Sequence, residues 1–336
     1  MKALLVRLSS VGDVVHTLPV LAALHRHGCA ATWLAESPSR ELLEGHPLLE
    51  RRVEPPRARA FDVGAARRAV AELRRERFDV ALELQGLWKS AIWARLSGAR
   101  RVVGYSGRFR REPASAWALG ERLEQPASAV HVIDKNLAIL RALDIEAIGS
   151  REFPLPPTGA ARERVARELA ALGVGRFALL NPAGGWRNKL WPAERYGALA
   201  RKLGDRGLRA LVTWGPGELP LAETAAAASG GCARVCFETS LLELAELARR
   251  AEVVVAADTG PLHLACAVGA PAVGIYGPTD PARNGPFSPR DEVVRRAPRC
   301  APCHRRDCPV HDGVMAEIPV EELAAAVERR LARGAP

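Results

Sequence analysis

Short apolar segments alternate with longer amphipathic segments along most of the chain. The short segments are apolar on both faces, which is typical of strands buried in a parallel sheet. The longer segments repeat their apolar residues at helical spacing. This alternation predicts an α/β fold in which helices cover parallel sheets. Strands are predicted over residues 3–8, 30–34, 80–84, 101–103, 177–180, 210–214, 253–257 and 272–276.

The amphipathic segments between these strands are predicted to be helices. Pro19 lies inside the first of them and should kink or split it, because proline lacks the backbone donor. Segment 107–128 is rich in Arg, Pro and Ala, has no helical spacing, and is interpreted as a mobile or inserted loop. Helices are predicted over residues 13–27, 64–77, 87–96, 132–143, 192–203, 219–228, 241–250 and 320–331.

Length and one proline-rich segment predict how the chain is divided. Its 336 residues exceed what a single core usually supports, so two domains are expected. Residues 154–158 include three prolines, which resist both helix and central strand, and are interpreted as a linker. The pattern therefore predicts two α/β domains over residues 1–153 and 159–318, with a final helix within 319–336.

The end of the predicted strand 253–257 carries the most informative local pattern. Asp258, Thr259 and Gly260 follow the strand, and Pro261 then begins a helical pattern. Backbone N–H groups at such a helix N-terminus point to the carboxyl edge of the sheet, where diphosphates bind. The same pattern is also compatible with an ordinary strand–helix corner. His263 lies one turn into the helix, either at the site or as a buried helix histidine.

Polar or glycine-rich turns follow other predicted strands as well. Each is a weak signal, but together they indicate one binding crevice, because the carboxyl ends of parallel strands share an edge. Asp13 is either an N-cap or a functional carboxylate. His16 either lines the same crevice or is a helix histidine that is hydrogen-bonded within the protein. The candidate residues in these turns are Ser10, Gly12, Asp13 and His16 in the first, Gln85, Gly86 and Lys89 in the second, Gly184, Gly185 and Lys189 in the third, and Glu218 in the fourth.

Charge narrows the class of partner. The formal net charge is +10, carried almost entirely by arginine. A basic surface favours anionic partners such as phosphorylated substrates or lipid headgroups, although codon bias also accounts for many of these arginines. Aromatic residues make up only 5% and do not interleave with basic ones, so no nucleic-acid partner is expected.

Targeting and cysteine patterns indicate the compartment. Seven cysteines in a long chain argue for reduced thiols. Arg7 and Asp13 interrupt the region where a signal peptide would be apolar, and no stretch qualifies as a membrane span. A cytoplasmic protein that meets a membrane only from its surface is therefore expected.

Five motifs together resemble glycosyltransferase family 9, the bacterial ADP-heptose:lipopolysaccharide heptosyltransferases. They are GDVVHTLP, LQGLWKSA, NPAGGWRNKLWP, WGPGE and ADTGPLHLACAVGAPAVGIYGPTDP, and they cover nearly the whole chain. The first motif is most similar to that of heptosyltransferase I. The resemblance implies a GT-B fold with two facing Rossmann-like domains, in which residues 1–153 bind the acceptor and 159–318 bind the nucleotide sugar. It also implies that the helix in 319–336 packs back on the N-terminal domain.

The resemblance also implies roles for individual residues. Asp13 matches the general base, and Lys189 matches the lysine that neutralises the departing nucleotide diphosphate without a metal. The donor set is Gly184, Gly185, Lys189, Glu218, Thr239, Ser240, Asp258, Thr259, Gly260 and His263, with Asp258 on the sugar, Glu218 near the ribose, and Thr239 and Ser240 near the adenine. The acceptor set is Ser10, Gly12, His16, Gln85, Gly86 and Lys89.

A cysteine cluster before the last helix resembles one in many relatives. Cys300, Cys303, Cys308 and His311 have donor types that suit structural zinc or iron. The sequence departs from the family pattern at Val314, where relatives often carry a further cysteine before the methionine. The implied transfer requires no cofactor, so a metal here would be structural.

The resemblance implies transfer of heptose from ADP-heptose to the Kdo of lipid A at the cytoplasmic face of the inner membrane, with the enzyme bound there peripherally. Alternatives remain, because segment 104–128 does not identify the acceptor: a heptosyltransferase II-like or protein acceptor, or a nucleotide-sugar-binding module without catalysis. An NAD-dependent oxidoreductase is excluded, because residues 9–13 replace the G-x-G-x-x-G turn after the first strand.

Overall fold

The structure is a computed structural model that describes residues 1–56, 62–303, 305 and 313–334. The chain divides into two compact units, Met1–Pro157 and Thr158–Pro336. Their boundary falls within the segment interpreted as a linker, where Pro154, Pro156 and Pro157 prevent regular structure from continuing.

The first unit is built on a six-stranded sheet whose strands all run parallel, in the order β3-β2-β1-β4-β5-β6. Pro19 splits the predicted first helix into two, as expected for a residue without a backbone donor. The elements are β1 Lys2–Val6, α1 Val11–Val15, α2 Leu18–Arg26, β2 Ala30–Leu34, β3 Arg51–Val53, α3 Val63–Arg75, β4 Val80–Glu83, α4 Trp88–Leu96, β5 Arg101–Tyr105, β6 Glu121–Leu123 and α5 Val132–Ala138.

The second unit has the same kind of sheet, in the order β12-β11-β10-β7-β8-β9 and again all parallel. The α/β class with two Rossmann-like parallel sheets is therefore confirmed. The elements are α6 Gly159–Ala171, β7 Phe177–Asn181, α7 Ala193–Gly204, β8 Arg209–Val212, α8 Leu219–Ala227, β9 Ala233–Val235, α9 Leu241–Arg250, β10 Val253–Ala257, α10 Gly260–Ala267, β11 Ala272–Tyr276, α11 Pro281–Asn284, β12 Glu292–Arg295 and α12 Val320–Ala332.

Each sheet has one point where the strand order reverses. In the first unit the chain leaves β1 towards β2 and β3, then returns to place β4 on the other side of β1. In the second unit it leaves β7 towards β8 and β9, then returns to place β10 beside β7. Ligands of open parallel sheets bind at this reversal, outside the carboxyl ends of the two central strands.

The last helix, α12, packs against α7 and β12 within the second unit. Its implied packing on the N-terminal domain stays a prediction. Leu323, Ala326 and Val327 are fully buried in one apolar cluster with Tyr196 of α7, so the helix completes the core of its own unit.

Segment 107–128, interpreted from sequence as a mobile or inserted loop, is ordered in the structure. It contains 3₁₀ turns at Gly107–Phe109 and Pro113–Ala118, followed by the edge strand β6. Its order comes from tertiary contacts, because Ser106 N–H donates to the Leu123 carbonyl and Gly120 N–H to the Val102 carbonyl. Outer strands such as β3, β6 and β9 are three residues long, too short to give a recognisable sequence pattern.

Candidate active site

Asp258 lies at the reversal point of the second sheet, directly after β10, and three side chains bind its carboxylate. Lys189 Nζ is 2.6 Å from Oδ2, His263 Nε2 is 3.0 Å from Oδ1, and Asn284 Nδ2 donates to Oδ1 at 2.5 Å. The Asp258 side chain is only 2% exposed, so these partners replace water. The sequence-predicted residues Lys189, Asp258 and His263 are thus brought together in one hydrogen-bonded cluster.

Opposing effects act on the charge of Asp258. Burial favours the neutral acid and by itself raises the pKa of this carboxyl, whereas hydrogen bonds and positive charge from His263 and Lys189 lower it. The net result is a pKa well below the usual range of an aspartic acid. Asp258 is therefore an ionised carboxylate that fixes its partners, and an ionised carboxylate only accepts hydrogen bonds. It follows that Nε2 of His263 carries a proton.

Close packing of two loops places Lys189 on this carboxylate. A Cβ on Gly184 would lie 2.5 Å from Cγ2 of Thr259, so only glycine allows the loop after β7 to approach the loop after β10. The chain then forms a 3₁₀ turn, Arg187–Lys189, and Lys189 Nζ lies 4.5 Å from the centre of the Trp186 ring. An ammonium has three donors, and Asp258 uses two of them through Oδ2 and its backbone carbonyl.

The N-terminus of α10 supplies backbone donors beside this cluster. Thr259 is the N-cap residue in extended conformation, and no side chain caps the helix. The Thr259 hydroxyl instead donates to the Ala257 carbonyl at 3.1 Å. The first-turn N–H groups, Gly260 among them, therefore remain available to an anion, which the helix dipole also favours.

Three other predicted donor residues follow the neighbouring strands β8 and β9, on the same edge of the sheet. Glu218 closes the turn after β8, since its Oε2 accepts from Gly215 N–H at 2.9 Å. Ser240 is the N-cap of α9, with its hydroxyl accepting from Glu243 N–H at 3.2 Å and the Glu243 carboxylate accepting from Ser240 N–H. Thr239 is half-buried next to it. Gly185 is exposed and unobstructed near Lys189.

Asp13 lies at the reversal point of the first sheet, in the first turn of α1. Ser10, not Asp13, is the N-cap residue, and Asp13 completes a capping box in which Oδ2 accepts from Ser10 N–H at 2.9 Å. Arg7 is buried and forms an ion pair with Oδ1 of Asp13. More than a third of the Asp13 side chain remains exposed. The carboxylate is held in one orientation and is still accessible, as a general base must be.

The predicted acceptor residues after β4 form part of the same edge. Gln85 Oε1 accepts from Leu8 N–H at 2.8 Å, which joins the β4 turn to the β1 turn. Gly86 has φ +77°, a left-handed conformation that favours glycine, and Glu83 Oε1 accepts its N–H at 2.9 Å. Lys89 is paired with Glu36, which follows β2.

His16 does not line an open wall. It is 3% exposed, and its ring meets the ring of His131 edge to face with centroids 5.8 Å apart. The His16 carbonyl accepts from Asn136 of α5 at 3.0 Å. Its described contacts are therefore those of a buried helix histidine, the alternative that the sequence left open. Gly12 is buried within α1 beside it.

The structure adds residues that sequence patterns did not indicate as site residues. Asn284 binds Asp258 and is itself held because Tyr276 donates its phenolic O–H to the Asn284 carbonyl. Arg110 pairs at 2.6 Å with Glu83, and both side chains are at most 1% exposed. Asn284 ends a four-residue helix and Arg110 lies in an irregular segment, so neither has a periodic signal, and only the fold could identify these positions.

The cysteine cluster is only partly described. Cys300 and Cys303 are free cysteines, the first exposed and the second half-buried. Cys308 and His311 lie outside the described residues. Among the residues that are described, no three His, Cys, Asp or Glu side chains are grouped to hold a metal. The metal site therefore stays a prediction.

Comparison with known proteins shows similarity to one family. The family model of glycosyltransferase family 9 (heptosyltransferase) matches residues 66–312. Lipopolysaccharide heptosyltransferase 1 of Pseudomonas aeruginosa is 30% identical over 322 residues, which cover 92% of this chain and 87% of that protein. The corresponding Escherichia coli K12 protein is 29% identical and covers 89% of this chain.

Solved structures show the same fold. The structure described as E. coli heptosyltransferase WaaC with ADP has a TM-score of 0.77 at 24% identity, covering 98% of this chain and all of that one. E. coli ADP-heptose lipopolysaccharide heptosyltransferase II has a TM-score of 0.79 at 20% identity, covering 99% of both chains. The predicted GT-B fold class is confirmed by these likenesses. By its family match and its close relatives, this chain belongs to glycosyltransferase family 9, the heptosyltransferases.

Proposed function

We propose that the chain is an inverting glycosyltransferase that transfers heptose from ADP-heptose to the Kdo inner core of lipopolysaccharide. The observation that carries the proposal is the Lys189–Asp258–His263 cluster beside the N-terminus of α10. A nucleoside diphosphate needs positive charge and oriented N–H groups, and this edge of the second unit offers both.

Lys189 has hydrogen-bonding capacity for the donor. Its third N–H is left for a diphosphate oxygen while Asp258 holds the other two. When the bond between the anomeric carbon and the diphosphate breaks, the electron pair goes to the phosphate oxygen. Lys189 and the first-turn N–H groups of α10 stabilise that charge. Buried Asp258 contributes mainly by holding Lys189, with contact to the sugar as a further role.

Asp13 is the proposed general base for the acceptor. An acceptor hydroxyl oxygen attacks the anomeric carbon as its proton passes to the Asp13 carboxylate, and attack opposite the leaving group inverts the configuration. Arg7 and Ser10 fix the orientation of that carboxylate. Gln85, Gly86 and Lys89 follow the adjacent strand β4, and contact with the acceptor is their proposed role.

The acceptor and location follow from the same proposal. Lipid A carrying Kdo is the proposed acceptor, so the enzyme works peripherally at the cytoplasmic face of the inner membrane. Within the described residues, every helix is too short or too polar to cross a bilayer. Nucleic acid has no part in this function.

A transfer assay with ADP-heptose and Kdo-bearing lipid A tests the proposal, with GDP- and UDP-sugars as donor controls. We expect product only with ADP-heptose, and Asp13→Asn to lower kcat by roughly 100- to 10,000-fold. Asp62→Asn is the matched control, because Asp62 caps α3 by accepting from Ala65 N–H and has no part in the site. Donor binding without turnover would instead favour the non-catalytic nucleotide-sugar-binding module. Turnover only with a more complete core or a protein would change the acceptor.

No cofactor is needed for these steps, and the cysteine cluster is proposed as a structural zinc or iron site. Its described part is tied to the loops that follow β7 and β11. Cys303 N–H donates to the Pro278 carbonyl at 2.8 Å, and the Arg305 carbonyl accepts from Asn188 at 2.7 Å. Thiolates at Cys300 and Cys303 suit either metal. Elemental analysis of the purified protein tests this, with Cys300→Ser/Cys303→Ser expected to lose the metal.

A further inference from the structure

Helix α4 exposes an apolar face. Trp88, Ile92 and Leu96 are spaced four residues apart, so they lie along one side of the helix, and they are 42%, 45% and 37% exposed. Its opposite side, with Ala91 and Ala94, is fully buried against the sheet. The helix is therefore apolar on both sides, although only one is covered within its unit.

A fourth exposed apolar side chain lies on an element that packs against α4. The 3₁₀ turn Pro113–Ala118 packs against α4, and its Trp117 is 79% exposed. The guanidinium of Arg122 lies 5.9 Å from the centre of that indole ring. Large exposed residues that occur singly are ordinary, but four on two packed elements form a patch, and patches mark interaction sites.

The patch is held rigidly. Glu112 Oε2 accepts from Trp88 N–H at 2.6 Å, and Glu112 N–H donates to the Gly86 carbonyl. The buried Arg110–Glu83 ion pair fixes the same loop to the end of β4. Trp117 is therefore exposed because the fold presents it, and not because its segment lacks tertiary contacts.

The segment of the chain that carries the patch is basic. Residues 86–124 contain eight Lys or Arg and three Asp or Glu. Arg95 and Arg111 are exposed, and neither forms an ion pair within the described residues. Two cations without carboxylate partners thus stand beside tryptophan and aliphatic side chains, a combination that matches the headgroup region of an anionic bilayer.

We propose that Trp88, Ile92, Arg95, Leu96, Arg111 and Trp117 form a docking surface for an anionic lipid bilayer. The indole and aliphatic groups enter the interfacial region, while the arginines bind lipid phosphates. A second copy of this chain fits less well, because pairing this face with itself would bring like charges together. The inference deepens the proposed function and rests on it for biological meaning, since it names the surface that meets the membrane carrying the acceptor.

Sedimentation of the full-length protein with phosphatidylglycerol vesicles tests the surface. We expect binding that exceeds binding to neutral phosphatidylcholine vesicles and that weakens with salt. Ile92→Ser/Leu96→Ser and Trp117→Ser should each reduce it at least tenfold. Arg95→Ser/Arg111→Ser should reduce it by roughly fivefold per arginine. The matched controls are Val130→Ser, an exposed apolar residue, and Arg167→Ser, an exposed arginine of α6.

Transfer to a water-soluble Kdo acceptor is measured in parallel. Ile92→Ser/Leu96→Ser should leave it unchanged, which also shows that the variant is folded. If the wild type binds vesicles but shows no transfer, the proposed function is rejected and the docking surface is retained. Wild-type binding that the substitutions do not weaken, or a dimer that Ile92→Ser/Leu96→Ser turns into a monomer, would overturn the docking surface.

Discussion

Lys189 Nζ lies 2.6 Å from Oδ2 of Asp258, and this contact joins the loops that follow the two central strands of the second sheet. The lysine comes after β7 and the aspartate after β10, 69 residues further along the chain. Because Asp258 is buried and ionised, its main effect is to hold one ammonium in a fixed direction beside the N-terminus of α10. Pre-organised positive charge of this kind stabilises a departing diphosphate without reorganisation.

Removing the ammonium should impair catalysis more than folding. Lys189→Met is expected to lower kcat by roughly 100-fold or more, because one pre-organised donor to the leaving group is lost. Steady-state kinetics with ADP-heptose, together with thermal unfolding, measures both effects. Lys202→Met is the control, since Lys202 lies on α7 in an exposed ion pair with Glu321. Equal kcat values for Lys189→Met and the wild type would reject the leaving-group role.

Asp258 should make stability depend on acid pH. Its pKa is depressed in the folded state, so its contribution to stability is fully present above the unfolded-state pKa of about 3.9 and is lost as pH falls towards the folded-state pKa. Denaturant unfolding measured over about four pH units, from pH 6 to pH 2, tests this. The free energy of unfolding should fall less steeply with pH in Asp258→Asn than in the wild type. Parallel pH profiles for the two proteins would contradict the depressed pKa.

Asn284 is expected to act as a positioning residue for Asp258. Asn284→Ala should lower kcat with little change in KM for ADP-heptose, because Oδ1 loses a donor while the groups that bind the nucleotide remain. Asn284→Asp should be worse, because it places a second carboxylate against a buried one. Comparing the change in kcat with the change in KM distinguishes this role from simple destabilisation. Destabilisation alone would lower the amount of folded enzyme and would not produce the expected order of the two variants.

The close approach of Gly184 to Thr259 can be tested by one substitution that destabilises the protein and a second that partly restores its stability. Gly184→Ala should destabilise the protein by about 1–3 kcal/mol, because the new Cβ overlaps Cγ2 of Thr259. Thr259→Ser removes that methyl group and should restore part of the loss in the double variant. Gly185→Ala is the adjacent control, since no atom lies within 4 Å of its added Cβ. Equal melting temperatures for Gly184→Ala and Gly185→Ala would show that the close approach is unnecessary.

Breaking the buried ion pair Glu83–Arg110 should reduce the free energy of unfolding more than breaking a surface pair. Glu83→Gln leaves Arg110 buried without its counter-charge and is expected to cost about 3–5 kcal/mol. The half-exposed pair Arg101–Glu121 provides the comparison, and Glu121→Gln should cost at most about 1 kcal/mol. Chemical denaturation measures both, and similar costs for the two variants would contradict the difference in burial.

Much of the fold follows from the sequence, because a buried parallel strand must be apolar on both faces and a covering helix must repeat its apolar residues at helical spacing. Strands such as Val253–Ala257 and the helix break at Pro19 therefore follow from the sequence pattern alone. The turns that carry Asp13, Lys189 and Asp258 were also predicted, since polar residues directly after apolar runs mark the carboxyl edge of a sheet. Short edge strands such as β6 were missed, because three residues give no reliable period.

Tertiary structure alone decided how the polar groups pair. The sequence pattern shows Asp258 only as a residue at a helix start, yet its partners Lys189 and Asn284 lie 69 residues before it and 26 residues after it. Likewise, Arg110 belongs to an irregular segment until the fold buries it on Glu83. Apolar periodicity records which side of an element faces the core, whereas a hydrogen bond between distant residues depends on strand order and loop approach, and neither leaves a local pattern in the chain.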